Sequence, residues 1–224
     1  MWLEVIGGHW FDPSIVHLSK TQREAQGVIM VEILGFLGGA IGVSAGLPQI
    51  VKILKLKHAE GLNRTSWILI FSATVSWAAY GFRIDSISAI TSNVIAAVIN
   101  GFILFKVLSH GIRFFIPLYA AAIFSSALAI PDFILTIILI GFTFAQLPQV
   151  FNSIENYRRS KDSAVSLATI SAALASYTCW ASYGFLSDRP TVWITSIIGF
   201  TLSILVLAFE ASPLRGRLPV KLYP

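Results

Sequence analysis

Two tryptophans carry the residue types best suited to holding a ligand. Trp77 opens Trp77-Ala78-Ala79-Tyr80-Gly81-Phe82, and Trp180 opens Trp180-Ala181-Ser182-Tyr183-Gly184-Phe185, 103 residues later. An aspartate follows each at the same distance, Asp85 and Asp188. An indole offers a large, rigid apolar face at little entropic cost, so its chemistry here is stacking rather than reaction. Each tryptophan lies roughly 10 Å before its aspartate at 1.5 Å per helical residue, too deep for a headgroup anchor. Asn93 lies eight residues after Asp85 and Ser196 eight after Asp188, an amide in one case and a hydroxyl in the other. A hydroxyl reaches less far and makes fewer hydrogen bonds than an amide.

A second recurring pair is Pro48-Gln49 and Pro148-Gln149, each inside an apolar run. Proline removes a backbone donor and clashes with the preceding turn, so it bends a helix and frees a carbonyl. Lipid offers that carbonyl no partner, so such a break survives only against other helices or along a water-filled cavity. The two breaks read as hinges, with the glutamines available to the freed carbonyls. Enzymatic chemistry has no support. The apolar runs hold no Ser-His or paired-Asp arrangement, no Gly-x-Gly-x-x-Gly opens a helix, and the four histidines are scattered without metal-ligand spacing. One cysteine, Cys179, excludes an internal disulfide and reads as a small packing residue. No catalytic residue, metal or cofactor is expected.

The elements that must position these residues are apolar helices. Of 224 residues 55% are hydrophobic and 12% charged, and the mean hydropathy is +0.75. A soluble domain usually carries about twice that charged share, so the composition is that of a membrane protein. Seven windows lack Asp, Glu, Lys, Arg and His: 33–51, 65–82, 86–105, 114–131, 133–154, 163–187 and 190–209. Each has about the length needed to cross the bilayer core. None contains an ionisable side chain, which favours passive over proton-coupled movement of a solute. A tight turn is expected at Pro131-Asp132.

Lysine and arginine set the orientation. With seven spans, one side holds Lys20, Arg23, Arg83 and Arg189, and the other holds the remaining twelve. The positive-inside rule then places the N-terminus outside and the C-terminus in the cytoplasm. The net charge of +5 follows this topology rather than a nucleic-acid surface. Both Pro-Gln breaks precede a basic loop, so the two halves enter from the same side, and an odd span must join them. The expected fold is all-α integral membrane: seven transmembrane helices as two parallel three-helix repeats joined by a linker helix. The boundaries are an extracytoplasmic arm over 1–30, a first repeat over 31–107, a linker helix over 112–131, a second repeat over 132–210, and a basic cytoplasmic tail over 211–224.

The proline-glutamine at the inner end of the first helix, Trp-x-x-Tyr-Gly closing the second and Asn93 in the third resemble the PQ-loop superfamily. The 3+1+3 layout is similar to its SWEET sugar transporters, whose single-repeat bacterial relatives are the SemiSWEETs. The resemblance spans about residues 31–210. It implies a uniporter of the cell membrane that moves a small neutral solute, a sugar, by alternating access and without an energy source. It also implies a site lined by Trp77, Asn93, Trp180 and Ser196, hinges at Pro48, Gln49, Pro148 and Gln149, and an extracellular gate of Tyr80, Asp85, Tyr183 and Asp188. In that gate the aspartates would pair with the nearby Arg83 and Arg189. Partners are the sugar and the lipid bilayer, with self-association left open. Two other readings fit the same shape. One is a proton-coupled amino-acid exporter of the superfamily, which would want a buried acid. The other is a seven-helix cargo or peptide receptor, which would want charges in its cavity.

Overall fold

The structure, a computed structural model, describes residues 20–44, 47–56, 64–159 and 167–211. The arm before Lys20, the tail beyond Ala211 and the side chains of Pro48 and Gln49 lie outside the described residues. Every regular element among those described is helical: α1 (Lys20–Ser44), α2 (Leu47–Leu56), α3 (Arg64–Arg83), α4 (Ile87–Val107), α5 (Ile116–Ala129), α6 (Asp132–Phe144), α7 (Leu147–Arg158), α8 (Leu167–Leu186) and α9 (Pro190–Glu210). A 3-10 turn over Ile112–Phe115 leads into α5. Each apolar window of the sequence thus becomes one helix or a broken pair. A break falls just before Pro148, where α6 gives way to α7; α1 ends at Ser44 and α2 begins at Leu47, with residues 45–46 outside the described residues.

Among the described residues five stretches are long and apolar enough to cross a membrane: Gly27–Ser44, Ile87–Val107, Ile112–Ala129, Asp132–Arg158 and Pro190–Glu210. The other two, α3 and α8, have 20 residues each, about 30 Å at 1.5 Å per residue, but carry more Ser, Thr and aromatic hydroxyl groups. α1 starts well before its window, so residues 20–30 of the expected arm are helical.

Helix ends explain the recurring aspartates. α3 and α8 both close in a Schellman turn. The Ser86 amide donates to the Gly81 carbonyl at 3.0 Å and the Asp85 amide to Phe82 at 3.4 Å; the Arg189 amide donates to Gly184 at 2.8 Å and the Asp188 amide to Phe185 at 3.3 Å. Such a turn needs one left-handed residue, and here both are aspartate, with φ of 53°. Ser86 then caps α4 by accepting from the Ala89 amide at 3.1 Å. The glycine of each Trp-x-x-Tyr-Gly lets the hairpin close. A methyl group at Gly81 would lie 2.9 Å from the Ile90 nitrogen, and one at Gly184 2.6 Å from the Trp193 nitrogen. The turn at Pro131 forms as expected, with α5 ending at Ala129 and α6 starting at Asp132.

α4 packs between α1 and α3, and α9 packs between the α6–α7 pair and α8. Across the seam between these groups α1 lies on α8 and α3 on α6, while α5 rests on α3. The buried apolar residues separate by level. At the end carrying the α3–α4, α5–α6 and α8–α9 turns, the hairpin end, one cluster joins both groups: Ala79, Tyr80, Leu135, Leu139, Tyr183 and Val192, with Ala127 of α5. Towards the other end there are two clusters. Val150, Ile170, Leu202 and Val206 belong to the second group, and Phe71, Val75 and Leu104 to the first. The groups therefore share a core at one end and keep separate cores at the other.

Candidate functional site

The two tryptophans come to matching places. Trp77 packs edge-on to Tyr80 with ring centroids 5.5 Å apart at 83°, and Trp180 packs on Tyr183 at 5.4 Å and 75°. Both tryptophans are half-buried and lie against the shared cluster of the hairpin end. Tyr80 and Tyr183, expected at a gate, both belong to that cluster and are buried, 6% and 2% exposed. Trp180 also lies against the first helix: a methyl at Gly38 would meet its ring at 3.0 Å, and the Ser176 hydroxyl donates to the Gly38 carbonyl at 2.7 Å.

Asn93 is half-buried, and its amide donates to the Ala89 carbonyl of its own helix at 2.9 Å. Ser196 is buried on the face of α9 that also carries Val192, Thr195 and Gly199, a spacing of three and four residues that makes one helical stripe. A cavity of about 260 Å³ lies elsewhere, between α3, α5 and α6, with Ser76, Tyr119, Ser126, Ala127, Leu135 and Ile138 in its wall. None of Trp77, Asn93, Trp180 or Ser196 lines it. Its wall is mostly alkyl, and the Tyr119 hydroxyl is engaged with Ser72 at 2.8 Å, so it suits a hydrocarbon chain better than a polar solute.

The helix break before Pro148, where a hinge is expected, is braced. Around Ala145 the chain tightens to three-residue hydrogen bonds, with the Ala145 amide on Phe142 at 3.1 Å, Gln146 on Thr143 at 3.3 Å and Gln149 on Gln146 at 3.0 Å. Gln149 does not serve the carbonyl that Pro148 releases; its amide points to the Ser153 hydroxyl at 3.4 Å. Gln146 does the bracing instead, donating from its amide to the Tyr177 hydroxyl of α8.

Two readings of the charged residues need correction. Asp85 and Asp188 are exposed turn residues, and the arginines are used differently from the expected pairing. Arg83 pairs with Asp132 and donates to the carbonyls of Ala127 at 3.0 Å and Ile130 at 2.7 Å. Arg189 reaches across the seam to the Ile84 carbonyl at 3.2 Å. Nor are the spans free of ionisable side chains. Glu32 lies within the apolar stretch Gly27–Ser44, one residue before the charge-free window. It is tolerated because its carboxylate sits at the amino-terminal end of α4, where free amides and the helix dipole favour an anion. The Ser88 amide donates to it at 2.7 Å and the Ser86 hydroxyl at 3.2 Å. The Tyr183 hydroxyl of the other group donates as well, at 3.3 Å.

Comparison with known proteins finds matches to part of the chain. The family model described as PQ loop repeat matches residues 30–90. The sugar transporter SemiSWEET of Leptospira biflexa is 24% identical over 82 residues, which is 37% of this chain and 96% of that protein. The sugar transporter SemiSWEET of Bradyrhizobium diazoefficiens is 24% identical over 82 residues, 37% of this chain and 95% of that protein. This chain is thus more than twice the length that each relative matches. With apolar helices of span length among the described residues, the chain is an integral membrane protein, and over residues 30–90 it is similar to the PQ loop repeat.

Proposed function

We propose that the protein is a membrane transporter that passes a small neutral solute, a sugar, down its gradient by alternating access between two like three-helix groups. The first group is α1–α2, α3 and α4; the second is α6–α7, α8 and α9; α5 is the linker that makes the two parallel. The observation that carries this reading is the division of the core. One buried cluster joins the groups at the hairpin end, and separate clusters hold each group at the other. A structure built that way is closed at one mouth and free to part at the opposite one.

The basic residues of the open end, among them Lys55, Arg64, Lys106, Arg113, Arg158 and Arg159, support its being cytoplasmic. The N-terminus is then outside and the C-terminus inside. The solute binds between the indoles of Trp77 and Trp180, whose faces stack on the C–H surface of a sugar ring, with Asn93 and Ser196 supplying hydrogen bonds. Tyr80 and Tyr183 form the outer gate, and Asp85 and Asp188 serve it by fixing the turns that hold those tyrosines. Opening that gate parts α1 from α8. The breaks at Pro48-Gln49 and Pro148-Gln149 absorb the bending. Support for sugar as the solute comes from the two relatives named as sugar transporters.

Glu32 keeps one other reading alive, proton-coupled export of an amino acid, because a carboxylate in a span can titrate as a carrier turns over. Its two oxygens are already committed to three donors of the closed end, which supports uniport. Efflux of labelled mono- and disaccharides from reconstituted liposomes, with and without a pH gradient, separates the two. Uniport gives equal initial rates in both conditions. Sugar flux that vanishes without the gradient, or amino-acid flux with no sugar flux, contradicts it.

A further inference from the structure

Glu32 and Asp132 hold the same place in the two halves, each sixteen residues before its Pro-Gln proline. Each also reaches the second helix of the opposite half. Glu32 accepts from the Tyr183 hydroxyl on α8, and Asp132 pairs with Arg83 at the end of α3. We propose that Glu32 and Asp132 are the outer gate's latches, two crossed acids that hold the hairpin end shut and release it without stranding a charge.

The release follows from what each partner keeps. When Tyr183 leaves, the Glu32 carboxylate still accepts from the Ser88 amide and the Ser86 hydroxyl of its own half. Its charge therefore stays satisfied, and opening costs one hydrogen bond rather than a buried orphan. When Asp132 leaves, Arg83 keeps the carbonyls of Ala127 and Ile130 that end α5. Asp132 itself is 81% exposed and returns to water. A permanent strut between the halves would have no need of these reserve partners. The Arg83–Asp132 pair lies at the rim, where solvent screens an ion pair.

This inference rests on the transport reading for its purpose, but its test does not require a substrate. Spin labels go on Ile87→Cys and Leu186→Cys, both on exposed positions of the hairpin end in opposite halves, 65% and 60% exposed. The background is Cys179→Ala, and the full chain is in nanodiscs. The unlatched protein, Glu32→Gln with Asp132→Asn, gains a longer inter-label distance whose population rises about tenfold or more, as expected for loss of hydrogen bonds to charged groups. Tyr183→Phe, which leaves the Glu32 contacts to α4 intact, moves the same way by less. Asp132→Glu stays short, and so does Glu155→Gln, whose ion pair with Arg159 is local to the end of α7. Distances unchanged in both Glu32→Gln and Tyr183→Phe, with only the unfolding temperature lowered, overturn the latch and leave Glu32 as a cap for α4. A distance shift in a protein that moves no sugar sinks the transport reading alone; sugar flux with unshifted distances sinks the latch alone.

Discussion

Asp85 and Asp188 share one backbone conformation, φ of 53°, at equivalent points of the two halves. Aspartate reaches the left-handed region more readily than most residues but still at a cost, and glycine reaches it freely. Asp85→Gly and Asp188→Gly are therefore expected to hold or raise stability, by up to about 1 kcal/mol. Valine at either position lowers it by about 1–3 kcal/mol. Unfolding temperatures in detergent decide this. A stabilising valine would show that the turns are not what these residues are for.

The hairpins depend on two glycines. Gly81→Ala and Gly184→Ala push a methyl into the backbone of the neighbouring helix. The expected loss is about 1–3 kcal/mol each from overpacking, read as a fall in unfolding temperature. Equal stability would mean that α3–α4 and α8–α9 approach less closely than described.

The indoles are expected to act through their faces. Trp77→Phe and Trp180→Phe keep an aromatic ring over Tyr80 and Tyr183 while shrinking the stacking surface. Initial sugar flux should fall by about twofold to tenfold, the equivalent of about 0.5–1.5 kcal/mol for an aromatic contact. Unfolding temperature should change little. Full flux from the double variant would remove both residues from the solute path.

Tyr177 holds the second break in place through Gln146. Removing its hydroxyl in Tyr177→Phe should cost about 0.5–1.5 kcal/mol of stability, the net worth of one hydrogen bond. Flux should also change if that break is a working hinge. Unaltered flux together with lowered stability would make the brace a matter of folding only.

The helices and the break before Pro148 were legible in the sequence, because a charge-free run of span length has few other uses in a protein this apolar. The paired Trp-x-x-Tyr-Gly was legible too. Its glycine is explained by the close hairpin and its tyrosine by the shared core. The roles of the charges were not. Glu32 escaped notice because a window drawn to exclude charge stops at the first acid, although a helix continues through it when a neighbouring helix terminus supplies amides. The Arg83–Asp132 pair was equally hidden, since its partners are 49 residues apart in the chain and Asp85 is so much nearer. The cavity beside α5 had no signal at all: its wall is the ordinary alkyl and hydroxyl surface of packed helices.

Alternating access requires α1 and α8 to separate, and the chain offers a direct way to prevent it. A β-carbon at Gly38 would lie 3.0 Å from that of Cys179, so Gly38→Cys supplies a second thiol within a small adjustment of disulfide reach. With Gly38→Ser as the uncrosslinked control, sugar flux in liposomes is measured for the oxidised and then the reduced protein. Flux absent when oxidised and restored on reduction is the predicted result. An oxidised, fully crosslinked protein that transports as fast as its reduced form would contradict the two-bundle mechanism outright.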